Sequence, residues 1–220
     1  MTAGIVLAAG SGRRFGAQKL LEDLEGRPLV YYAVAAAVGS RLDGVLVVLG
    51  DGSPEIEGEI RRFFPKEPRV GFVHNARAAL GMMTSLQSGI ASLPPDTRAA
   101  VVILADMPLV TPALIDRMVA TYEDTEHLVV PECGDEPRHP RVVPARFFPE
   151  FLSLEGNTRG TVVFDRHRDE TTNIPFGDAT PFADVDTPTD LSTCARALRA
   201  RSSSAGREAP HNAGVEPSNS

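Results

Sequence analysis

A glycine-rich segment with three cations follows an apolar run near the start of the chain. It spans residues 7–19 and reads LAAGSGRRFGAQK. Gly10, Gly12 and Gly16 allow positive φ and a close approach to a ligand, so that successive backbone N–H groups can point at phosphate oxygens. The cations of the segment are Arg13, Arg14 and Lys19. Together these features predict a polyphosphate site, with Arg14 and Lys19 supplying charge at its rim.

The spacing of these glycines is Gly-x-Gly-x-x-x-Gly. It matches neither the dinucleotide fingerprint Gly-x-Gly-x-x-Gly nor the P-loop, which ends in Gly-Lys-Ser/Thr. An ordinary turn from strand to helix would explain the glycines but not the cations.

A carboxylate follows the apolar run at residues 100–104, in the sequence Ala-Asp-Met-Pro that contains Asp106. A carboxylate at the end of a buried strand is costly unless it is paired, hydrogen-bonded or bound to a cation. Mg²⁺ is the natural cation beside a nucleotide, because it neutralises phosphate charge. Asp106 is therefore a predicted magnesium ligand, and the alternative is that it caps the turn at Pro108.

A second acidic segment contains Asp184 and Asp186 on either side of Val185. The period of a short strand would place both carboxylates on one face, opposite Val185. Asp186 is a predicted second magnesium ligand. Alternatively, it is an acidic residue near the N-terminus of the last helix, where the helix dipole stabilises negative charge. Asp190 fits the first turn of that helix better than a metal site.

The segment at residues 75–89 places a glycine between a strand and a helix. Gly81 would let a base or ribose lie against the backbone, and Ser85 offers a hydroxyl at the start of the helix. We expect Met82 and Leu86 to pack in the core.

Short β-branched runs alternate with longer helical patterns, which is typical of βαβ units and a parallel sheet. The predicted strands are residues 4–7, 45–49, 70–73 and 100–104. The predicted helices are residues 28–38, 55–64, a stretch after Gly81, 111–122 and a stretch after Thr187. From Arg201 onward the composition is too polar to support a core, and we expect a disordered tail over residues 201–220.

Composition indicates a single-domain enzyme, since 220 residues with 42% hydrophobic content can bury one core. The net charge of -7 argues against a nucleic-acid partner. Apolar runs are too short to span a membrane. Cys133 and Cys194 lack the spacing of a zinc site or a disulfide framework, so a cytoplasmic location is expected.

These motifs together resemble the nucleotidyltransferases that attach CMP or GMP to the molybdenum cofactor, over residues 3–200. The resemblance implies an α/β, three-layer Rossmann-like nucleotidyltransferase fold with a mostly parallel sheet, over a domain of residues 1–200. It implies Mg²⁺ on Asp106 and Asp186, and catalysis by Arg14, Lys19 and Asp106. The residues expected to bind the nucleotide are Leu7, Ala8, Ala9, Gly10, Gly12, Gly16, Asn75, Gly81 and Ser85.

The same resemblance implies that CTP is the donor, because Ala9 and Phe15 match the cytidylyltransferase branch. The implied partners are a small phosphorylated acceptor, namely molybdopterin or the molybdenum cofactor, and a molybdoenzyme. The acceptor half departs from the family pattern. Residues 138–143 read RHPRVV where Gly-His-Pro is usual, and residues 156–161 read GNTRGT where Gly-Asp-x-Gly-Ala-Arg is usual.

Four alternatives remain open from the sequence. The donor could be GTP, or the acceptor could be a sugar phosphate or another metabolite. A nicotinamide-dependent oxidoreductase would use Asp51 on the ribose, but it would leave the cations without a role. A non-catalytic chaperone of a molybdoenzyme would bind without turnover.

Overall fold

The computed structural model describes residues 1–10, 19–50, 53–155 and 158–205. The strands are β1 (Thr2–Ala8), β2 (Asp23–Leu24), β3 (Arg27–Pro28), β4 (Gly44–Gly50), β5 (Val70–Asn75), β6 (Ala99–Leu104), β7 (Leu128–Cys133), β8 (Glu136–Pro137), β9 (Arg141–Pro144) and β10 (Thr171–Phe176). The helices are α1 (Leu29–Gly39), α2 (Pro54–Phe63), α3 (Met82–Ala91), α4 (Pro112–Thr125), α5 (Phe148–Ser153), α6 (Thr161–Arg166) and α7 (Pro188–Ala205).

The main sheet has the strand order β10-β7-β9-β6-β1-β4-β5, with β8 added beside β7. The pairs β1–β4, β4–β5, β1–β6 and β7–β10 are parallel. β9 runs antiparallel to both of its neighbours, β6 and β7. The carboxyl ends of β1, β4, β5 and β6 therefore share one edge with the amino end of β9.

Helices cover both faces of the sheet, and each face has its own apolar core. On one face α1, α2, α4 and α7 pack against inward residues such as Val6, Val47 and Ile103. On the other face α3, α5 and α6 pack against Ile5, Val48 and Val102. The expected three-layer α/β architecture with a mostly parallel sheet is thus confirmed.

The four predicted strands and five predicted helices are all present, with ends that differ by a few residues. Pro28 is the N-cap of α1 and does not lie in its first turn. Thr111 caps α4, and its Oγ1 accepts a hydrogen bond from the Leu114 N–H at 3.2 Å, as Thr-Pro predicts. No helix in the described part of the chain is long and apolar enough to cross a bilayer.

The boundary expected at Arg201 lies too early, because α7 continues through Ala205. Arg201 Nη1 donates to the Leu109 carbonyl at 2.8 Å, which ties the last turns of α7 to the loop before α4. The rest of the expected tail, residues 206–220, lies outside the described residues.

Candidate functional site

Lys19, Asp106 and Asp186 meet at the carboxyl edge of the sheet. Lys19 Nζ lies 2.8 Å from Asp106 Oδ2 and 3.1 Å from Asp186 Oδ1. The lysine side chain is 13% exposed, whereas the two carboxylates are 27% and 50% exposed. One ammonium group thus joins the two carboxylates that the sequence predicts as metal ligands, although 87 and 167 residues separate them from it along the chain.

Backbone hydrogen bonds position Asp106 just beyond the end of β6. The Ala105 N–H donates to the Leu7 carbonyl of β1 at 3.1 Å. The Val185 N–H donates to the Asp106 carbonyl at 3.0 Å, and this bond attaches the second acidic segment to the first. The Asp106 carboxylate is thereby held between β1 and the segment before α7.

The strand expected around Val185 is wrong, because the residues just before α7 form no ladder and a single backbone bond joins them to Asp106. The alternation expected of that strand is nevertheless present: Val185 is fully buried while Asp184 and Asp186 are exposed. Extended backbone is sufficient to alternate side chains without sheet pairing.

Asp190 lies in the first turn of α7, as expected, and holds the residues before it. Its Oδ2 accepts from the backbone N–H of Thr187 at 2.8 Å and of Asp186 at 3.1 Å. The Asp190 N–H returns a bond to Thr187 Oγ1 at 3.3 Å, which completes a capping box. Hydrogen bonds, first from the Thr187 side chain, lower the pKa of Asp190.

Opposing effects act on the charge of Lys19. Burial by itself lowers the Lys19 pKa, but hydrogen bonds and charge from Asp106, and then from Asp186, outweigh it and raise the pKa above the ordinary value. The ammonium is therefore fully charged at neutral pH and balances two carboxylates. Because cation and anions form one cluster, a change to any member alters the field at the other two.

The donor chemistry of this cluster fits a magnesium ion that is shared with a substrate. Within the described ranges, no group of three or more His, Cys, Asp and Glu side chains is arranged to hold a metal. Mg²⁺ is usually bound by one or two carboxylates together with substrate phosphates, and does not require a cage made by the protein alone. Asp106 and Asp186 match that pattern, since an oxygen of each carboxylate lies within 3.1 Å of Lys19 Nζ.

The start of the glycine-rich segment lies at the same edge. Leu7 and Ala8 end β1, and Ala9 and Gly10 follow it with increasing exposure. A Cβ on Gly50, at the end of β4, would lie 3.3 Å from the Ala9 carbonyl oxygen, so the two strand ends are in close contact. Three other predicted nucleotide-binding residues, Gly12, Arg14 and Gly16, lie outside the described residues.

Asn75 and Ser85 are buried and bond to each other beneath this edge. Asn75 Nδ2 donates to Ser85 Oγ at 3.0 Å and to Thr84 Oγ1 at 2.8 Å, and its Oδ1 accepts from the Arg77 N–H at 2.9 Å. These bonds fix the end of β5 against the start of α3. Nucleotide binding by Asn75 and Ser85 stays a prediction, and their geometry gives them a positioning role.

Gly81 precedes α3 with φ 125°, a conformation that favours glycine. Leu86 is buried, as expected of a core residue, but Met82 is 61% exposed and its expected place in the core is wrong. The first turn of α3 faces a cavity, and Met82 is one of the residues that line it.

That cavity has a volume of about 380 Å³ and lies on the face covered by α3, α5 and α6. Its lining is mostly apolar. The lining residues from helices and strands are Leu7, Met82, Met83, Leu86, Val102, Arg141, Val143, Phe151, Thr161 and Phe164. The remaining ones are Gly81, His139, Thr158, Arg159 and Gly160. Sequence reasoning missed Met83, Phe151 and Phe164, because apolar residues at helical spacing give the same signal whether they fill a core or line a cavity.

Two polar groups of the altered His-Pro segment face this cavity. Burial, followed by the charge of Arg141, lowers the pKa of His139 to about 3, so the imidazole is neutral at physiological pH. Arg141 is 8% exposed and opens β9. Of the other predicted residues in this half, Arg159 lines the cavity, Arg138 pairs with Glu136, and Asn157 lies outside the described residues.

Comparison with known proteins identifies a family and several relatives of this chain. A family model described as a MobA-like NTP transferase domain matches residues 4–171. A probable molybdenum cofactor guanylyltransferase from Thermococcus kodakarensis is 29% identical, over 86% of this chain and 91% of the relative. The bifunctional protein GlmU of Cutibacterium acnes is 30% identical over 59% of this chain, and the matched region spans 30% of that longer protein.

A solved structure shares the fold. The Rv0371c protein of Mycobacterium tuberculosis, crystallised in complex with manganese, aligns with a TM-score of 0.67 at 22% identity. The alignment covers 89% of this chain and 97% of that one.

Proposed function

Because the chain belongs to the MobA-like NTP transferase family, we propose that it transfers CMP from CTP to a small phosphorylated acceptor and releases pyrophosphate. The proposed acceptor is molybdopterin or the molybdenum cofactor. The observation that supports this most directly is the meeting of Lys19, Asp106 and Asp186 at the edge where β1 ends and the glycine-rich segment begins.

In the proposed reaction an oxygen of the acceptor attacks the α-phosphorus of CTP. The bond from that phosphorus to the oxygen bridging to the β-phosphate breaks, and pyrophosphate leaves with the bonding electrons. No covalent enzyme intermediate is needed, so catalysis consists of positioning and electrostatics. Backbone amides of residues 10–16 would hold the β- and γ-phosphates, while Arg14 and Lys19 would balance the charge that grows on the leaving group.

Asp106 and Asp186 would hold a divalent metal, and we propose Mg²⁺. When bound, the metal would neutralise the charge on the α-phosphate. The mycobacterial protein that shares this fold was crystallised in complex with manganese, which is compatible with divalent-metal binding in this fold. In this arrangement Lys19 has two roles: it compensates the carboxylates when they lack a metal, and it pairs with phosphate when the nucleotide is bound.

The donor base is the part of this proposal that most needs a test. Ala9 and Phe15 favour CTP through the family resemblance, whereas the archaeal relative is described as a guanylyltransferase. A thermal-shift comparison of CTP, GTP, ATP and UTP with Mg²⁺ separates these alternatives, since a ligand that binds only the folded state raises the unfolding temperature. We expect the largest shift with CTP. A shift with GTP alone would overturn the choice of CTP.

Transfer itself is tested by pyrophosphate release from CTP with molybdopterin and with a panel of sugar phosphates. Release that requires molybdopterin supports the proposed acceptor. Release with a sugar phosphate alone would make the chain a transferase of another metabolite. Nucleotide binding without release by any acceptor would favour the chaperone alternative.

A further inference from the structure

Arg141 is a buried cation that forms no hydrogen bond or ion pair with a carboxylate of the described residues. Within the described part of the chain its one hydrogen bond runs from Nε to the Arg138 carbonyl oxygen at 3.0 Å, and no ion pair involves it. Its Cζ lies 5.1 Å from the centre of the Phe164 ring, a cation–π distance. Most of the five N–H donors of this guanidinium are thus left unused.

Such an arrangement leaves donors of the guanidinium available to a ligand in the cavity. Burial lowers the pKa of Arg141 below its ordinary value, and the charge of Asp165 offsets only part of that effect. A buried charge is normally paired or hydrogen-bonded, because the loss of hydration is otherwise uncompensated. Because Arg141 lines the cavity, an anion that entered would supply the missing partner.

The position of Arg141 separates it from the predicted reaction centre. It pairs in register with Val102 of β6, and Asp106 lies four residues further along the chain. At about 3.3 Å per residue this corresponds to roughly 13 Å. Leu7 and Gly81 line the same cavity and also belong to the edge that carries the nucleotide segment, so the cavity extends from Arg141 toward that edge.

The walls beside Arg141 are apolar or aromatic. Met83, Leu86, Phe151 and Phe164 line them. His139 contributes a neutral imidazole next to the cation, and Arg159 adds a second guanidinium. A cavity with two guanidinium groups and otherwise apolar walls takes a ligand whose body is apolar and whose negative charge is localised.

We propose that Arg141 binds a carboxylate or phosphate group of a small-molecule ligand, with the apolar body of that ligand along the cavity. The planar guanidinium suits both anions, because each can accept two parallel hydrogen bonds from it. This anion site rests on Arg141 and its cavity, and it is independent of the proposed function.

The experiment measures binding of three probes that share a phenyl ring: phenyl phosphate, benzoate and the neutral benzyl alcohol. Titrations by isothermal calorimetry without nucleotide use the full chain and its R141Q, R141K and R62Q variants. Arg62 is a matched control, since its side chain is 69% exposed on α2 and pairs with Glu59.

We expect at least one anionic probe to bind the unaltered protein and R62Q about tenfold or more tightly than benzyl alcohol. R141Q should lose roughly 10- to 100-fold of anion affinity, the range for a hydrogen-bonded charged group, and keep its affinity for the alcohol. R141K should bind anions more weakly than arginine does, since it lacks the planar fork. The ratio between the phosphate and carboxylate probes identifies which anionic group the site prefers.

Equal binding of neutral and anionic probes, or an R141Q variant that keeps the anion preference, would overturn the proposal. If R141Q does not fold, R141K replaces it in the test. An anion affinity of R141K equal to that of the unaltered protein would then overturn the proposal. CTP-dependent thermal shifts of each variant are recorded in parallel. A CTP-dependent thermal shift without a preference for anionic probes would refute this inference alone. A preference for anionic probes without a CTP-dependent shift would refute the proposed function alone.

Discussion

Asp190 Oδ2 accepts a hydrogen bond from the backbone N–H of Asp186 at 3.1 Å. The first turn of α7 thus holds the residue whose carboxylate contacts Lys19. A helix cap and a site residue are coupled here, because the two acidic side chains are only four positions apart and one positions the other.

Replacement of Asp190 by alanine should therefore raise the Mg²⁺ concentration that half-saturates turnover, with a smaller effect at saturating Mg²⁺. The cap orients Asp186 but contributes no proposed metal ligand. Pyrophosphate release measured against Mg²⁺ concentration tests this. D178A is the matched control, since Asp178 Oδ1 makes a similar bond to the Thr180 N–H in a turn that carries no site residue. Equal Mg²⁺ dependence in both variants would contradict the coupling.

Replacement of Lys19 by alanine should lower turnover by about 2 to 4 kcal/mol of transition-state stabilisation, or roughly 30- to 1000-fold. The lost charge would face both the carboxylates and the leaving pyrophosphate. The measurement is kcat for pyrophosphate release, and K66A serves as control because Lys66 is exposed in the turn after α2. Unchanged turnover in K19A would show that Lys19 has no part in the chemistry.

Replacement of His139 by asparagine should make the protein less sensitive to mild acid. The folded pKa of His139 is about 3 whereas an unfolded histidine titrates near 6.5, so protons bind the unfolded chain first and stability is lost as the pH falls. Between pH 7.5 and 5 this costs the unaltered protein about 2 kcal/mol, which the asparagine variant avoids.

Urea unfolding of both proteins at the two pH values gives that difference. The control is H74N, because His74 is 53% exposed and pairs with Glu57. If the stability difference between H139N and the unaltered protein is the same at both pH values, His139 is not held neutral by the fold.

Replacement of Gly81 by alanine should destabilise the fold by about 1 to 3 kcal/mol, since φ 125° strains any residue with a Cβ. G58A should instead stabilise it by about 0.5 to 1 kcal/mol. Gly58 is exposed within α2, and a Cβ there would meet no atom within 4 Å. Urea unfolding of the pair measures both effects, and opposite signs are the expected result. If both variants lose stability alike, the destabilisation of G81A does not come from the positive φ of Gly81.

The parts of the fold that the sequence predicts are those in which local pattern and tertiary role agree. The strand at residues 100–104 is apolar on both faces, as expected of a central strand with helices on both sides, and helix α4 begins at a Thr-Pro pair. The meeting of Lys19 and Asp106 was predictable, because the residues after neighbouring parallel strands converge at one edge. Asp186 follows no paired strand, and its position depends on the bond from the Val185 N–H to the Asp106 carbonyl.

What the sequence does not predict depends on contacts between distant segments. The burial of Arg141 depends on α6 covering β9, and no local pattern distinguishes it from a solvated arginine in a loop. The extended segment at Val185 resembles a strand in its alternation, yet it has one hydrogen bond to Asp106 where a strand would have a ladder. Short polar-apolar alternation reports burial more reliably than it reports pairing.

The reversed direction of β9 allows the cavity to change without a change at the edge formed by β1, Lys19 and Asp106. Because β9 is antiparallel to β6, the residue nearest the ligand edge is the first of the strand, and it follows directly on the β8–β9 connection. Insertions or substitutions at residues 134–141 would therefore remodel the cavity while β1, Lys19 and Asp106 keep their positions. Cavity shape and the geometry of the predicted nucleotide edge are thus separately adjustable, and exchanging that short stretch between relatives is a practical way to test which ligands the cavity admits.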